Sequence, residues 1–225
     1  MESTIETNSK ISINRDATTE RNDIVAINMP SDFGKFFVFR MVAKPGDTLR
    51  ISESQIFINS IRQTNPETVQ FTYLLEAKKT VDDGFFLERG IKEFMKTQEG
   101  YLIYTTEIQA SELRKIDFIT SVTKSLKEPG FIDDRMFSDF QNSNQDNMEA
   151  IYLPKAGDVM KSDQLSRYTS AILNHEGIDV TGLQEYRFKN SYCFVLGDNR
   201  HNAVDSRYIG LIPIVKVMGT VNISP

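Results

Sequence analysis

The chain has 225 residues, of which 40% are hydrophobic and 25% are charged, and its formal net charge is −5. This length accommodates one large domain or a domain with a sizeable insertion, and the composition is that of a folded globular protein. The negative charge offers no basic surface, which excludes nucleic acid as a partner.

No apolar stretch approaches the roughly 20 residues that a membrane-spanning helix requires, and no signal peptide is recognisable. The single cysteine, Cys193, cannot form an internal disulfide. It lies in an apolar strand pattern, so we expect a small buried core residue. A nucleophilic thiol would need a nearby base, and the chain has only two histidines, His175 and His201, which argues against a Cys/His site.

The first third of the chain has the patterns of β-strands, with β-branched and alternating apolar residues. The predicted strands are Ile11–Asn14, Asp23–Ile27, Phe36–Val42, Leu49–Ile51, Gln55–Asn59 and Val69–Leu75. Leu49–Ile51 and Gln55–Asn59 form a predicted hairpin around Ser52-Glu53-Ser54, and Pro45-Gly46-Asp47 predicts a turn.

The middle of the chain predicts a small α+β insertion. A helix is expected over 85–97, capped by Asp82 or Asp83, with four apolar residues on one face: Leu87, Ile91, Phe94 and Met95. The other predicted elements are a strand at Tyr101–Thr105, a short helix at Ser111–Ile116 and a strand at Phe118–Val122. Pro129-Gly130 closes the insertion, and residues 137–149 read as a polar loop.

The last third returns to β structure, with one predicted helix. That helix begins at Ser162-Asp163 and carries Leu165, Tyr168, Ile172 and Leu173. The predicted strands are Ile151–Pro154, Tyr186–Phe188, Tyr192–Leu196 and Val215–Ile223. We therefore expect a β core made of residues 1–68 and 150–225, with an inserted α+β subdomain at 69–149.

The most informative segment is Gly197–Arg207, which follows the apolar run Tyr192–Leu196 where a strand should end. It resembles the C-terminal signature of the type I signal peptidases, Gly-Asp-Asn-Arg-x-x-Ser-x-Asp-Ser-Arg. Seven of the eight fixed positions match, and Ala203 replaces the serine.

Three earlier blocks also resemble this family and occur in the same order. Asn22–Ala26 is similar to its Gly-Asp-Ile-Val strand, and Arg40–Asp47 to its Lys-Arg-x-x-Gly-x-Pro-Gly-Asp block. Met1–Ile5 is similar to the residues that follow the nucleophile in Ser-Met-x-Pro-Thr-Leu. The inserted segment and His201-Asn202 are most similar to homologues from the Bacteroidetes group.

The resemblance implies a mainly β fold, the coiled antiparallel β-sheet fold that signal peptidases share with self-cleaving SOS repressors. It also implies a serine-lysine form of acyl transfer, in which a neutral lysine amine takes the proton of a serine hydroxyl and a second serine holds the amine. The nucleophile is expected just before Met1. Phe39 stands at the lysine position and Ala203 at the supporting serine position.

A phenylalanine accepts no proton at any pH, and its plain structural role is to extend the apolar run of its strand. Removing the supporting hydroxyl as well avoids a buried unsatisfied group, which would cost about 1–3 kcal/mol. Lys44 should point to the opposite face of the strand, Lys35 would lie about 13 Å away at strand rise, and Ser3 aligns with the family's proline, so none is a good substitute.

The remaining matches form a predicted site scaffold without an intact catalytic residue. Its members are Arg40, Pro45, Gly46, Asp47, Gly197, Asp198, Asn199, Arg200, Asp205, Ser206 and Arg207. No metal or cofactor is expected. Asp205 and Arg207 resemble the family's acid-arginine pair, which supports the site from behind.

The leading hypothesis is a catalytically degenerate signal peptidase I homologue that keeps an extended-peptide cleft, binds exported preproteins and acts beside an active paralogous peptidase. The alternative is an active membrane-bound serine endopeptidase that cleaves signal peptides, with its anchor and nucleophile cut from this chain. A third is a structural subunit with a blocked cleft. The resemblance places the domain at the periplasmic face of a bacterial inner membrane, held by an N-terminal anchor that this chain lacks.

Overall fold

The computed structural model describes residues 1, 4–5, 8–29 and 36–223, and this part of the chain is mainly antiparallel β structure, as predicted. It divides into two compact units. The larger unit comprises Thr7–Thr64, Lys127–Gly197 and Val204–Pro225, and the smaller unit comprises Met1–Glu6, Asn65–Leu126 and Asp198–Ala203. The predicted subdomain boundaries at 69 and 149 stay a prediction.

The strands are β1 (Ile11–Asn14), β2 (Ile24–Asn28), β3 (Phe36–Ala43), β4 (Thr48–Ser52), β5 (Gln55–Ile58), β6 (Ile61–Arg62), β7 (Gln70–Ala77), β8 (Phe94–Lys96), β9 (Tyr101–Thr106), β10 (Ile119–Lys124), β11 (Met148–Tyr152), β12 (Val159–Lys161), β13 (Glu185–Arg187), β14 (Tyr192–Leu196), β15 (Ile212–Pro213) and β16 (Val217–Ile223). The helices are α1 (Asp83–Leu87), α2 (Glu107–Leu113), α3 (Ser162–Leu165), α4 (Thr169–Glu176) and α5 (Ser206–Ile209), with 3₁₀ turns at Ser138–Phe140 and Ile214–Lys216.

The larger unit contains a six-stranded sheet in the order β1-β16-β2-β3-β14-β15 and a four-stranded sheet in the order β11-β4-β5-β6. Every residue of β14 is buried, which explains its unbroken apolar sequence, because both of its faces are covered. β4 and β5 form the predicted hairpin, and Glu53 and Ser54 both have positive φ at its turn, as a two-residue type I′ turn requires.

The smaller unit is built on a four-stranded sheet in the order β10-β7-β9-β8. Its core includes Tyr73, Phe86 and Ile103, which are fully buried. The Phe86 ring packs against Phe94 at 4.7 Å and Tyr101 at 5.3 Å between ring centroids, so α1 is anchored to the sheet by aromatic contacts.

The prediction of a long helix over 85–97 is wrong. Asp82 caps α1 as expected, by accepting a hydrogen bond from the Phe85 amide, but the helix ends at Leu87. Gly90 follows with a φ of +72°, which turns the chain out of the helix, and Phe94–Lys96 forms β8. Consequently Leu87 and Met95, predicted on a buried helical face, are exposed.

The short helix predicted at Ser111–Ile116 begins earlier and ends earlier, as α2. Thr106 is its N-cap, and Gln109 completes a capping box by accepting a hydrogen bond from the Thr106 amide. Thr106-Glu107-Ile108-Gln109 is the sequence pattern of that box, so the start of α2 could have been found from the sequence.

The helix predicted from Ser162 is broken in two, because Tyr168 has φ −133° and ψ 4°, outside the helical region. The second part, α4, begins where Asp139 accepts hydrogen bonds from the amides of Ser170 and Ala171 at 2.9 Å. Asp139 belongs to the predicted polar loop 137–149, in which four polar residues are buried: Asp139, Ser143, Asn144 and Asp146. Near the C-terminus, β16 begins at Val217 rather than Val215.

Candidate functional site

Phe39 lies near the middle of β3, paired with Val25 of β2, and only 7% of its surface is exposed. It belongs to an apolar cluster of the larger unit formed by Val25, Ile27, Phe39, Met41, Cys193, Val195 and Ile212. Its ring stacks on Phe37 with a centroid distance of 6.3 Å. Phe39, which stands where the resemblance expects the lysine, is therefore a core residue in an apolar cluster.

Arg40, the next residue on β3, is also buried, and it lies opposite Leu196 of β14. One of its guanidinium nitrogens donates a 2.6 Å hydrogen bond to the carbonyl of Asn22. Since Asn22 opens the block that precedes β2, this contact fixes two of the family-like blocks to each other within the larger unit.

The Pro45-Gly46-Asp47 block forms the turn between β3 and β4, as predicted. The Gly46 amide donates to the Leu153 carbonyl at 2.6 Å. The Asp47 carboxylate accepts hydrogen bonds from the Arg21 guanidinium and from the Lys44 amide, the latter at 2.8 Å. Burial alone would raise the pKa of Asp47, but these hydrogen bonds outweigh burial and the pKa lies below its ordinary value. Asp47 is thus a fixed anion that holds the turn.

The candidate substitutes for a catalytic lysine gain no support. Lys44 lies just beyond the end of β3, partly exposed, and its ammonium pairs with Glu20 at 2.7 Å. Lys44 therefore lies in a partly exposed ion pair and not in the apolar setting that an activated lysine base requires. Lys35 and Ser3 lie outside the described residues.

The buried ion pair of the signature is formed by Asp205 and Arg207 in the larger unit. Arg207 donates two side-chain hydrogen bonds to the two oxygens of Asp205, at 2.9 and 2.8 Å, and both residues are at most 2% exposed. The same carboxylate accepts a 3.0 Å hydrogen bond from the Gly197 amide, and Ser206 Oγ accepts one from the Val195 amide at the same distance. The strand end of β14 is therefore held by the acid-arginine pair and the Ser206 hydroxyl.

Asp198, Asn199 and Arg200 belong to the smaller unit, where main-chain atoms tie them to β7. Gln70 donates to the Asp198 carbonyl at 2.8 Å and accepts from the Arg200 amide at 2.9 Å. The Asp198 carboxylate accepts hydrogen bonds from the hydroxyls of Thr4 and Thr68. The Asn199 side chain donates to Glu93 at 3.4 Å. The prediction that these residues bind the loop to a neighbouring strand is confirmed for the backbone.

His201 and Ala203 complete the smaller unit's share of the signature. His201 Nδ1 accepts a 3.1 Å hydrogen bond from the Thr72 amide, and its ring packs edge-on against Phe71 at 5.5 Å. Ala203 is half-buried and contributes only a methyl group where the family has a hydroxyl.

Cys193 is fully buried in β14, as predicted, and burial raises the pKa of its thiol to about 12. A thiol with such a pKa forms almost no thiolate at neutral pH and is not a nucleophile. Within the described residues, no group of three or more histidine, cysteine, aspartate or glutamate side chains is placed to hold a metal ion. None of the helices in the described part of the chain is long and apolar enough to cross a membrane.

The sequence analysis did not find Arg21, Gln70 or Glu93, which contact the predicted scaffold. Arg21 lies 26 residues from Asp47, and Gln70 is more than 120 residues from the signature. No local pattern marks such pairs, since only the tertiary fold brings them into contact.

Comparison with known proteins identifies the protein family. The family of signal peptidases, peptidase S26, matches residues 1–119 and 132–224 of this chain. A crystal structure of a signal peptidase I from Enterococcus faecalis V583 is similar at 17% sequence identity and a TM-score of 0.35, covering 93% of this chain and 98% of that one. No curated protein matches the sequence significantly.

The family match spans most of the chain and includes all four of the sequence blocks described above. The chain therefore belongs to the signal peptidase family, peptidase S26.

Proposed function

We propose that this chain is a catalytically degenerate signal peptidase I homologue that binds extended peptides without cleaving them. The observation that carries the proposal is Phe39. It immediately precedes Arg40, where the resemblance requires the general base, and it is packed into an apolar cluster. The serine-lysine reaction needs an amine that accepts a proton, and a phenyl ring cannot supply one.

Ala203 supports the same proposal. The resemblance gives this position to a serine whose hydroxyl holds the lysine amine. Without an amine that hydroxyl has no partner in the reaction. The joint replacement of both polar partners by apolar groups is therefore the expected result when catalysis is lost.

The scaffold around these positions supports retention of a binding role. The Asp205–Arg207 pair and the turn at Asp47 keep their hydrogen bonds, although no lysine stands at position 39 for them to orient. The proposed partners are extended segments of exported preproteins, bound by adding a strand at a sheet edge, and an active paralogous peptidase. The proposed location is the periplasmic face of a bacterial inner membrane.

Restoration of the polar groups that Phe39 and Ala203 replace tests the proposal. The variant combines Phe39→Lys and Ala203→Ser in a chain that carries a serine immediately ahead of Met1, and cleavage of a preprotein is followed by mass spectrometry. The matched control replaces Phe39→Lys by Phe37→Lys, two residues away on the same face of β3. We expect cleavage by the first variant alone.

Titration with a labelled preprotein segment separates the remaining hypotheses. Saturable binding without cleavage supports the degenerate binding protein. Absence of binding, together with an inactive restored variant, would mean that the cleft itself is altered and would favour the structural subunit.

A further inference from the structure

The larger unit has an open cleft of about 600 Å³ on residues that are separate from Phe39 and from the signature. Its lining includes Ala150 and Tyr152 of β11, Val159 of β12, and the charged residues Asp158, Asp163 and Arg167. Two strand edges therefore contribute to one polar cleft, and neither belongs to the site already described.

β12 has one partner strand, β13, among the described residues. The Asp158 carbonyl accepts from the Phe188 amide at 2.9 Å and the Ser162 amide donates to the Gln184 carbonyl at 2.8 Å, so the even-numbered residues of this segment bond to β13. In an antiparallel pair, alternate residues direct their backbone groups to opposite sides. The N–H and C=O groups of Val159 and the N–H group of Lys161 therefore point away from β13, whereas the Lys161 carbonyl begins the hydrogen bonding of α3, whose N-cap is Lys161.

The edge of β11 is closed to a further strand. Leu153, just beyond β11, exchanges backbone hydrogen bonds with the turn before β4. The carbonyl of Ala150 accepts a 2.7 Å hydrogen bond from the Arg167 guanidinium, and the carbonyl of Tyr152 accepts a 2.9 Å hydrogen bond from the Tyr168 hydroxyl. These side chains occupy the acceptors that an added strand would use, so strand addition in this cleft is restricted to β12.

The charges of the cleft favour a cationic ligand. The Asp158 carboxylate is held in place by the Tyr152 hydroxyl at 2.9 Å and the Lys155 amide at 2.8 Å. Asp163 is exposed in the first turn of α3. The one guanidinium in the lining, that of Arg167, already contacts a carbonyl and lies 3.8 Å from Glu149. Within the part of the chain that the structure describes, these two carboxylates line the cleft and no ion pair engages either of them.

We propose that this cleft binds an extended peptide carrying a basic side chain, which adds as a strand to β12 and places its cation near Asp158 and Asp163. Backbone pairing with both groups of Val159 and with the N–H group of Lys161 supplies affinity that is independent of sequence, and the carboxylates select the basic residue. The proposal does not rest on the proposed function, because none of these residues belongs to the degenerate serine-lysine site.

The test uses fluorescein-labelled octapeptides of alternating valine and threonine with one central lysine, and fluorescence anisotropy with the unmodified protein. Two N-methylated versions block the backbone N–H groups of odd or even positions. Because a strand bonds its partner through alternate residues, we expect one methylated set to abolish binding and the other to retain it. Equal binding of both sets, or no saturable binding of the parent peptide, overturns the proposal.

Two protein variants locate the site. Val159→Pro removes an N–H that faces away from β13 and should weaken binding roughly threefold to tenfold. Asp163→Asn should weaken binding of the lysine peptide about threefold, as expected for an exposed ion pair, and should leave an analogue with norleucine for lysine unaffected. Asp134→Asn, the same charge change at an exposed residue outside the lining, is the control. Binding that is unchanged in both cleft variants contradicts the proposal.

Discussion

Replacement of Phe39 by lysine tests whether the position before Arg40 is a dry apolar environment. Phe39 is 7% exposed and contacts an entirely apolar cluster. Desolvation disfavours the charged form of an amine, so the introduced lysine should be neutral at pH 7 in the folded protein. Since the ordinary lysine pKa is about 10.4 and each pKa unit is worth 1.36 kcal/mol, neutrality at pH 7 costs roughly 4.6 kcal/mol of folding free energy.

The sign of the pH dependence follows from the two pKa values. In the unfolded chain the introduced amine keeps its ordinary pKa, and in the folded chain the pKa is lowered. Between these values the unfolded state binds more protons, so the stability of the Phe39→Lys variant should rise with pH until about pH 10.4. The stability difference from the parent protein should therefore be largest near pH 7 and shrink by several kcal/mol towards pH 10.

Urea unfolding of both proteins at pH 7, 8, 9 and 10 measures this difference. Phe37→Lys is the matched control, because Phe37 is 41% exposed on the same face and its replacement keeps the amine in water. We expect its effect to be within about 1 kcal/mol and independent of pH over this range. A pH-independent loss in Phe39→Lys would refute the reasoning, because the amine would then be charged and hydrated in the folded state.

Three further substitutions test the scaffold by urea unfolding. Asp205→Asn should cost about 3–5 kcal/mol, because it leaves the buried guanidinium of Arg207 without its carboxylate. Burial, and secondly the charge of Lys216, lowers the pKa of His175 below its ordinary value. The folding free energy should therefore become less favourable as pH falls from about 6.5 through the folded-state pKa, and His175→Gln should flatten this slope. Gly210→Ala should cost more than about 1 kcal/mol, because Gly210 has a φ of +83° and the new Cβ would lie 2.6 Å from the Phe137 ring.

Controls and contrary outcomes are specific to each change. For Gly210, the comparison is Gly157→Ala, which has a φ of +94° but no neighbour within 4 Å of the added Cβ, so it should cost less. Equal costs would show that the Phe137 contact is irrelevant. If His175→Gln leaves the pH dependence of stability unchanged, the acid sensitivity belongs to other groups. If the Asp205→Asn variant is as stable as the parent protein, Arg207 pairs with another anion.

The strands were largely predictable because apolar and β-branched runs favour extended structure. Phe36–Ala43 and Tyr192–Leu196 are such runs, and both are inner strands of the six-stranded sheet, although Phe36 and Phe37 are exposed. The helix predicted at 85–97 failed because its periodicity was accidental. Gly90 adopts positive φ beyond the end of the helix, and the residues that follow form β8, which pairs with the adjacent strand β9 as a hairpin, Lys96 opposite Tyr101. The apolar spacing of residues 85–97 did not distinguish this short strand from a helical face.

The candidate site was predictable where a motif carries it and unpredictable where tertiary contacts complete it. The resemblance located Phe39, Ala203 and the Asp205–Arg207 pair, and the apolar run around Phe39 indicated its burial. The bonds from Arg21 to Asp47 depend on distant segments meeting, which one sequence does not reveal.

Incubation of the unmodified full-length protein with a preprotein, beside an active signal peptidase as positive control, tests the central claim most directly. The products are identified by mass spectrometry over several hours. The account predicts an intact preprotein in every sample that lacks the active enzyme, because Phe39 cannot accept the proton that the reaction must move. Release of a fragment cut after a small residue, in amounts proportional to the concentration of this protein, would contradict it.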